Sequence, residues 1–139
     1  MIYNSRLTNL KNELAQLNLD GIYVTNLTNV RYLTGFTGSA GSLLVLEDQH
    51  HFFTDGRYIE QSKEQVQNCT IHIVGSAHYT SIKDQNLILN NQKIGLEAQS
   101  MSVQLYDQII ATLPGVVFEK VDDIIGVIAA VKDLEEIES

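Results

Sequence analysis

Apolar residues recur along the 139-residue chain at two spacings, one typical of helices and the other of strands. Near the amino terminus, helical spacing predicts an amphipathic helix whose inward face is formed by Leu7, Leu10, Leu14 and Leu17. Directly after it, the short β-branched run at 21–25 predicts a strand that is buried on both faces of a sheet. The chain therefore passes from helix to strand within a few residues.

Further β-prone runs alternate with helical patterns along the rest of the chain. Strands are predicted at 42–47, 50–54, 70–74, 93–96 and 116–120. Helices are predicted at 56–66, at 79–89, after Ser102 and from Ile124, with a shorter helical turn at 26–34. Only Asp48 and Gln49 separate two of the strands, which should therefore form an antiparallel hairpin. The pattern predicts an α/β domain with a mixed sheet of about six strands.

Two helices carry specific expectations for their side chains. The helix that Ser102 caps is expected to turn Ile109, Ile110 and Leu113 inward. The tail at 132–139 is polar apart from Leu134 and Ile137, which have little to pack against within this domain. We interpret this tail as the first turns of a helix whose partner is missing.

Charge and cysteine content narrow the possible partners. The net charge is −8, and no cluster of lysines or arginines forms a phosphate-binding footprint, which argues against nucleic acid and anionic membranes. The lone Cys69 cannot form an internal disulfide, which favours a reducing compartment. No apolar run approaches the roughly 20 residues of a membrane span, and the first residues lack the order of a signal peptide. We therefore expect a cytoplasmic protein.

The loop that contains Gly35, Gly38 and Gly41 has enough backbone freedom to surround a phosphate. A strand follows this loop, however, whereas phosphate-binding loops lead into a helix. A structural turn is therefore the favoured interpretation, because glycine serves any position with positive φ.

A compact polar group at 55–58 joins a predicted strand to a predicted helix, a place where α/β proteins present functional side chains. Asp55 is expected to cap the helix, so its replacement by alanine should destabilise the fold. A guanidinium in the first helical turn opposes the helix dipole and normally has a carboxylate partner. Arg57 is therefore either a contact to substrate or another domain, or an ordinary surface arginine.

The histidines do not form a recognisable ligand set. His50 and His51 should point to opposite faces of one strand, so a solvent-facing hairpin is favoured over a metal site with Asp55. His72 and His78 have no acidic partner at a recognisable spacing. No metal site and no catalytic residue are predicted in this chain.

Three segments together resemble the signature of the creatinase/prolidase amino-terminal domain: NVRYLTGF at 29–36, TGSAG at 37–41 and TDGRY at 54–58. Arg6, GLE at 95–97 and KDLEEI at 132–137 are also similar to this family. The FTGSAG and TDGRY segments look most like those of Xaa-Pro aminopeptidases and Xaa-Pro dipeptidases. One departure is Ala129, where many relatives have an arginine.

The resemblance implies a ribonuclease H-like domain at 1–131, and 132–139 as the start of a linker helix to a missing pita-bread catalytic domain. In the family that second domain binds two divalent metal ions, often manganese, which activate a water for attack on an Xaa-Pro bond. The amino-terminal domain narrows access to the active site and contributes to a homodimer.

The resemblance also suggests roles for motif residues of this chain. Tyr32, Arg57 and Tyr58 become candidates for contacts to a proline-containing peptide or to another domain. The structural positions of the motifs are Gly35, Gly38, Gly41, Asp55 and Gly56. Two other functions stay open, namely a self-standing α/β binding module and a small hydrolase that uses His50, His51 and Asp55.

Overall fold

The computed structural model describes residues 2–138 and the side chains of residues 2–132. The strands in this part of the chain are β1 (Gly21–Val24), β2 (Ser42–Leu46), β3 (His50–Thr54), β4 (Thr70–Ile73), β5 (Lys93–Leu96) and β6 (Val117–Lys120). The α-helices are α1 (Ile2–Gln16), α2 (Leu27–Thr34), α3 (Ile59–Gln65), α4 (His78–Asp84), α5 (Val103–Thr112) and α6 (Ile124–Glu138). Short 3₁₀ turns cover Gly56–Tyr58 and Ala98–Ser100.

The described strands form one mixed sheet in the order β4-β3-β2-β1-β5-β6, as the hairpin predicted. Strand β2 pairs antiparallel with both β1 and β3, and the other neighbouring strands pair in parallel. The remaining strands therefore all end at the edge of the sheet where β2 begins. We call this the carboxyl edge, and it is formed by the residues that follow Val24, Thr54, Ile73, Leu96 and Lys120 and those that precede Ser42.

Helices cover both faces of the sheet, and alternation along the strands sends successive side chains to two separate cores. The core beneath α1, α2 and α6 includes Leu7, Ile22, Val30, Phe52 and Ile125. The core beneath α4 and α5 includes Tyr23, Phe53, Ile82, Ile94 and Ile109. Each fully buried large apolar side chain stabilises the fold by about 1.5–3 kcal/mol. No described helix has the length and apolar character required to span a membrane.

Three expectations about helices are wrong. Leu17 is 43% exposed rather than inward, because α1 ends at Gln16 and Asn18 turns the chain with a φ of 59°. Ile110 also lies on the exposed side of α5. Helix α4 ends at Asp84 instead of continuing to residue 89, because Asn86 adopts a positive φ that ends regular helix.

The backbone of α6 continues through Glu138, so the segment from 132 is helical. The side chains of Leu134 and Ile137, and the whole of Ser139, lie outside the described residues. The absence of a partner for those two side chains stays a prediction.

Gly35 offers a test of the turn that ends α2. Its φ is 84°, its N–H donates to Arg31 O at 2.8 Å, and an added Cβ would lie 2.9 Å from the Tyr3 hydroxyl. Gly35→Ala should therefore lower the free energy of unfolding by about 1–2 kcal/mol, as left-handed backbone costs an L-residue. Gly56→Ala is the control, because a Cβ there meets no atom within 4 Å and φ lies outside the positive region. Equal shifts of the two urea midpoints would contradict this account.

Candidate functional site at the carboxyl edge

The carboxyl edge is the place where open α/β sheets commonly bind ligands. Here two clusters of polar side chains flank β1. One surrounds the glycine loop at 35–41 and the 3₁₀ turn Gly56–Tyr58. The other is centred on Glu97, at the end of β5.

Side chains from α3 and the 3₁₀ turn form hydrogen bonds with the glycine loop. Thr37 N–H donates to Gln65 Oε1 at 2.9 Å, while Gln61 and Gln65 donate side-chain N–H groups to Thr37 Oγ1 at 3.0 Å. Ser39 N–H donates to the Tyr58 hydroxyl at 3.1 Å, and the Ser39 and Tyr58 hydroxyl oxygens are 2.6 Å apart. These backbone donors are therefore already bonded, which supports a structural turn rather than a phosphate-binding loop.

Two glycines of this loop allow the aromatic rings to approach the backbone closely. A Cβ on Gly38 would overlap the rings of Phe36 and Tyr58, and one on Gly41 would lie 3.0 Å from Phe36. Phe36 is buried and packs against Phe52 with ring centroids 4.8 Å apart. The loop is thereby anchored in the core as well as by hydrogen bonds.

Asp55 and Arg57 form a bidentate ion pair beside this loop. Asp55 Oδ1 accepts from Arg57 N and Nε, both at 3.0 Å, and Oδ2 accepts from Nη2 at 2.7 Å. Asp55 therefore caps the 3₁₀ turn that precedes α3. Hydrogen bonds from the Arg57 side chain lower the pKa of Asp55 to about 2. Arg57 has the carboxylate partner that its position requires, while its side chain remains 66% exposed and lies over the Tyr58 ring.

Tyr32 contacts a different set of residues from Arg57 and Tyr58. Arg6 donates from Nη1 to Tyr32 O at 2.7 Å, and its guanidinium lies 4.0 Å from the centroid of the Tyr32 ring. Arg6 thereby binds a carbonyl in the last turn of α2, where a cation is favourable. Of the three contact candidates from the sequence, Arg57 and Tyr58 therefore lie against each other, whereas Tyr32 lies against α1.

The expectation of a solvent-facing hairpin is wrong. Strand β2 lies inside the sheet, and β3 is covered on both faces, so His51 is only 6% exposed. His50 does point to the opposite face, where its ring nitrogens lie 3.2 Å from Lys11 Nζ and 2.9 Å from Asn68 O. Among the described residues no three His, Cys, Asp or Glu side chains converge to hold a metal ion. His50, His51 and Asp55 accordingly do not form a catalytic set.

His72 and His78 are not isolated either. The Nε2 atom of His72 lies 2.9 Å from His51 Nδ1. His78 Nδ1 lies 3.0 Å from Ser42 Oγ, which in turn is 2.9 Å from the Tyr23 hydroxyl. Burial lowers the pKa of His51, His72 and His78, and it raises the pKa of Tyr23. The pairing of β3 with β4 creates the contact between His51 and His72, and the packing of α4 on the sheet creates the contact of His78; sequence spacing reveals neither.

Glu97 is the residue that sequence reasoning missed. It is 4% exposed, and its Oε1 accepts from Thr25 N at 2.9 Å and from Asn26 N at 3.1 Å. Asn29 Nδ2 donates to Glu97 Oε2 at 2.6 Å and also to Asp123 Oδ1 at 3.0 Å. Burial raises the pKa of Glu97, although these hydrogen bonds act in the opposite direction. The available signal was a carboxylate placed directly after an apolar strand.

The geometry of the edge is suited to binding and positioning. A hollow of about 360 Å³ lies between the loop, β1 and the start of α4, and it is lined by groups from Tyr23, Ser39, Ser42, His78 and Tyr79. Its polar groups are mainly hydroxyls, and Arg57, on the neighbouring turn, is already paired with Asp55.

Comparison with known proteins gives a consistent result. Residues 6–131 match the family model described as the Creatinase/Prolidase N-terminal domain. The uncharacterized peptidase YqhT of Bacillus subtilis (strain 168) is 35% identical over 132 residues, which cover 95% of this chain. Those residues span 37% of the length of that peptidase.

Solved structures agree in fold. The N-terminal domain of the cytoplasmic peptidase PepQ from Mycobacterium tuberculosis H37Rv superimposes with a TM-score of 0.80 at 29% identity, covering 88% of this chain and 97% of that one. An Xaa-Pro aminopeptidase structure from Streptococcus pyogenes gives a TM-score of 0.79 at 26% identity, covering 90% of this chain and 95% of that one.

Glu97→Gln tests the buried carboxylate. An amide must turn its NH₂ toward either the Thr25 and Asn26 N–H groups or the Asn29 NH₂, so a donor faces a donor. We expect a loss of about 2 kcal/mol in the free energy of unfolding, the scale for a buried polar group left unsatisfied. Glu119→Gln, on an exposed position of β6, is the charge-matched control and should be nearly neutral. If denaturant unfolding gives the same value for both variants, Glu97 does not have this role.

Proposed function

Because this chain belongs to the creatinase/prolidase amino-terminal domain family, we propose that it is the amino-terminal, non-catalytic domain of a metal-dependent Xaa-Pro peptidase. Two findings together carry the proposal. The family model matches residues 6–131, and the residues aligned with the YqhT peptidase span only 37% of that peptidase's length. The whole protein would hydrolyse peptide bonds that precede or involve proline.

The same match supports the domain boundary that we propose. We assign residues 1–131 to the domain, and 132–139 to the start of the connection to a carboxyl-terminal pita-bread domain. The family match ends at residue 131, and α6 continues as helix beyond that position to Glu138. A continuous helix is suited to this connection, because it fixes the direction in which the chain leaves the domain.

The metal centre is assigned to the catalytic domain. The family resemblance implies two divalent ions, with manganese as the first choice, held by carboxylates and an imidazole. The described residues of this chain do not fit such a site, because no three potential ligands of the His, Cys, Asp and Glu types converge. In this division of labour the domain contributes shape and contacts rather than metal chemistry.

The contacts are assigned to the carboxyl edge and to α2. Arg57 is exposed and held in one orientation by Asp55, so it can meet a carboxylate of substrate or of a neighbouring subunit at little cost in side-chain entropy. Tyr58 orients the glycine loop beside it, and Tyr32 provides an aromatic face near Gly35. We assign to the whole protein a homodimeric state and a cytoplasmic location.

The division of labour predicts different activities for the fragment and the full-length enzyme. This chain alone should cleave neither an Xaa-Pro dipeptide nor an Xaa-Pro-Yaa tripeptide, whereas the full-length protein should cleave at least one of them. The preferred substrate would distinguish dipeptidase from aminopeptidase. Calorimetry on the chain should detect no manganese binding tighter than about micromolar, or roughly −8 kcal/mol. Cleavage or tighter binding by the chain alone would contradict the proposal.

Arg57→Ala in the full-length enzyme tests the proposed contact. We expect KM to rise by about tenfold, or the dimer to weaken comparably, since a charge-assisted hydrogen bond is lost. Metal content should be unchanged. Lys63→Ala removes an exposed cation on α3 whose nearest carboxylate, Glu60, is 4.0 Å away, and serves as the control. Unchanged kinetics and dimerisation in Arg57→Ala would show that Arg57 is an ordinary surface residue without this contact.

A further inference from the structure

Imidazole hydrogen bonds anchor both ends of α4. This seven-residue helix has one fully buried apolar side chain, Ile82, which is 1% exposed. At its carboxyl end Gln85 Nε2 lies 3.2 Å from His72 Nδ1. At its amino end His78 Nδ1 lies 3.0 Å from Ser42 Oγ. Helices this short are not stable alone in water, so α4 depends on its packing against the core together with these attachments.

The His51–His72 pair forms a hydrogen-bond chain with a defined direction. The Gln49 carbonyl oxygen Oε1 can only accept, so His51 Nε2, 2.9 Å away, must carry a proton. In a neutral ring, His51 Nδ1 then accepts from His72 Nε2–H at 2.9 Å. His72 Nδ1 in turn accepts from the Gln85 amide. With the Gln85 amide in this orientation, every donor has an acceptor only while both rings are neutral.

One added proton breaks this chain unless the exposed Gln85 amide turns, and a second proton breaks it in either case. If His51 Nδ1 is protonated, it faces the His72 Nε2–H group, so a donor faces a donor. If His72 moves its proton to Nδ1 instead, that nitrogen faces the Gln85 NH₂, so the Gln85 amide has to turn its oxygen toward His72. Protonation of both rings brings two cations together across 2.9 Å. His72 is also stacked on Phe53 with ring centroids 5.0 Å apart, so it is not free to turn away without losing that contact.

No neighbouring carboxylate compensates a positive charge on this pair. Within the described residues, neither ring forms an ion pair. The charged residues closest to this network in sequence are Glu47 and Asp48 in the hairpin turn, and Lys83 and Asp84 at the end of α4. His50, on the other face of the sheet, adds repulsion to His51 when charged, whereas Asp55 favours the charged form of His78.

We propose that α4 is a pH-sensitive element, which acidification releases from the sheet by protonating the His51–His72 pair while the rest of the core stays folded. Because His78 and Tyr79 line the hollow at the carboxyl edge, release of α4 opens that hollow. The proposal concerns α4 itself and is independent of the proposed peptidase function.

The direction of the pH dependence follows from the lowered pKa of both rings. An unfolded histidine has a pKa of about 6.5, so the open form binds protons at a higher pH than the closed form does. The stabilisation of the closed form is therefore complete above about pH 6.5 and declines as the pH falls below it. Each proton taken up changes the opening equilibrium by up to about tenfold per pH unit.

Amide exchange of this chain between pH 7.5 and 5, corrected for intrinsic exchange rates, tests the proposal. Protection of Ser81, Ile82 and Lys83 should fall below pH 6.5 by roughly tenfold per pH unit or more, while Ile22 and Val45 in β1 and β2 change much less. In His72→Gln this pH dependence should weaken, because an amide there can turn its oxygen toward protonated His51. His50→Gln, on the opposite face, is the control: it removes only the repulsion between His50 and His51, and should change this pH dependence much less than His72→Gln does.

Two results would overturn the proposal. One is α4 protection that changes with pH no more steeply than protection of β1. The other is an unaltered pH dependence in His72→Gln. If His72→Gln fails to fold, NMR titration of the unsubstituted chain decides: His51 and His72 must titrate below about pH 6.5, together with the α4 amide signals, and independent titration at ordinary values rejects the idea.

Discussion

The buried carboxylate of Glu97 is the interaction on which the arrangement of the carboxyl edge depends. Desolvation of a charged group is costly unless every oxygen is hydrogen-bonded, and here N–H donors from Thr25, Asn26 and Asn29 fulfil that condition. Through Asn29 the same network reaches Asp123, whose Oδ1 also accepts from Gly126 N at 2.9 Å and caps α6. One side chain at the end of β5 therefore fixes where α2 begins and where α6 begins. The direction of α6 follows from it.

The other half of the edge is built differently, from neutral groups. The Tyr58 hydroxyl and the Gln65 amide oxygen accept hydrogen bonds from backbone N–H groups of the glycine loop. The Phe36 ring fills the space that the missing side chain of Gly38 leaves open. Such a loop is rigid before any partner arrives, and a rigid surface loses little entropy on binding. This property suits the proposed role of a domain that contacts a catalytic partner.

The sequence predicted most of the fold because apolar spacing is a local property. The strands, the hairpin and the mixed sheet all follow from patterns within about ten residues. The misplaced features depend on contacts across the fold or on single backbone angles. His51 is buried because β4 pairs with β3, and Glu97 meets residues that lie 68–72 positions away. Leu17 and the end of α4 were misassigned because Asn18 and Asn86 adopt positive φ, which composition alone does not reveal.

The ionisable groups of the domain that have a shifted pKa respond to acid in different ways, and this difference makes a local response possible. Glu97 has a raised pKa, so the folded chain takes up a proton there more readily than the unfolded chain does, and acid does not destabilise the fold through it. Asp55, with its pKa lowered to about 2, loses its contribution only as the pH falls from about 4 toward 2. The histidines that hold α4 also have a lowered pKa, so their contribution to stability declines as the pH falls below about 6.5. Acid therefore acts first on one short helix, while the Glu97 network keeps the start of α6 in place.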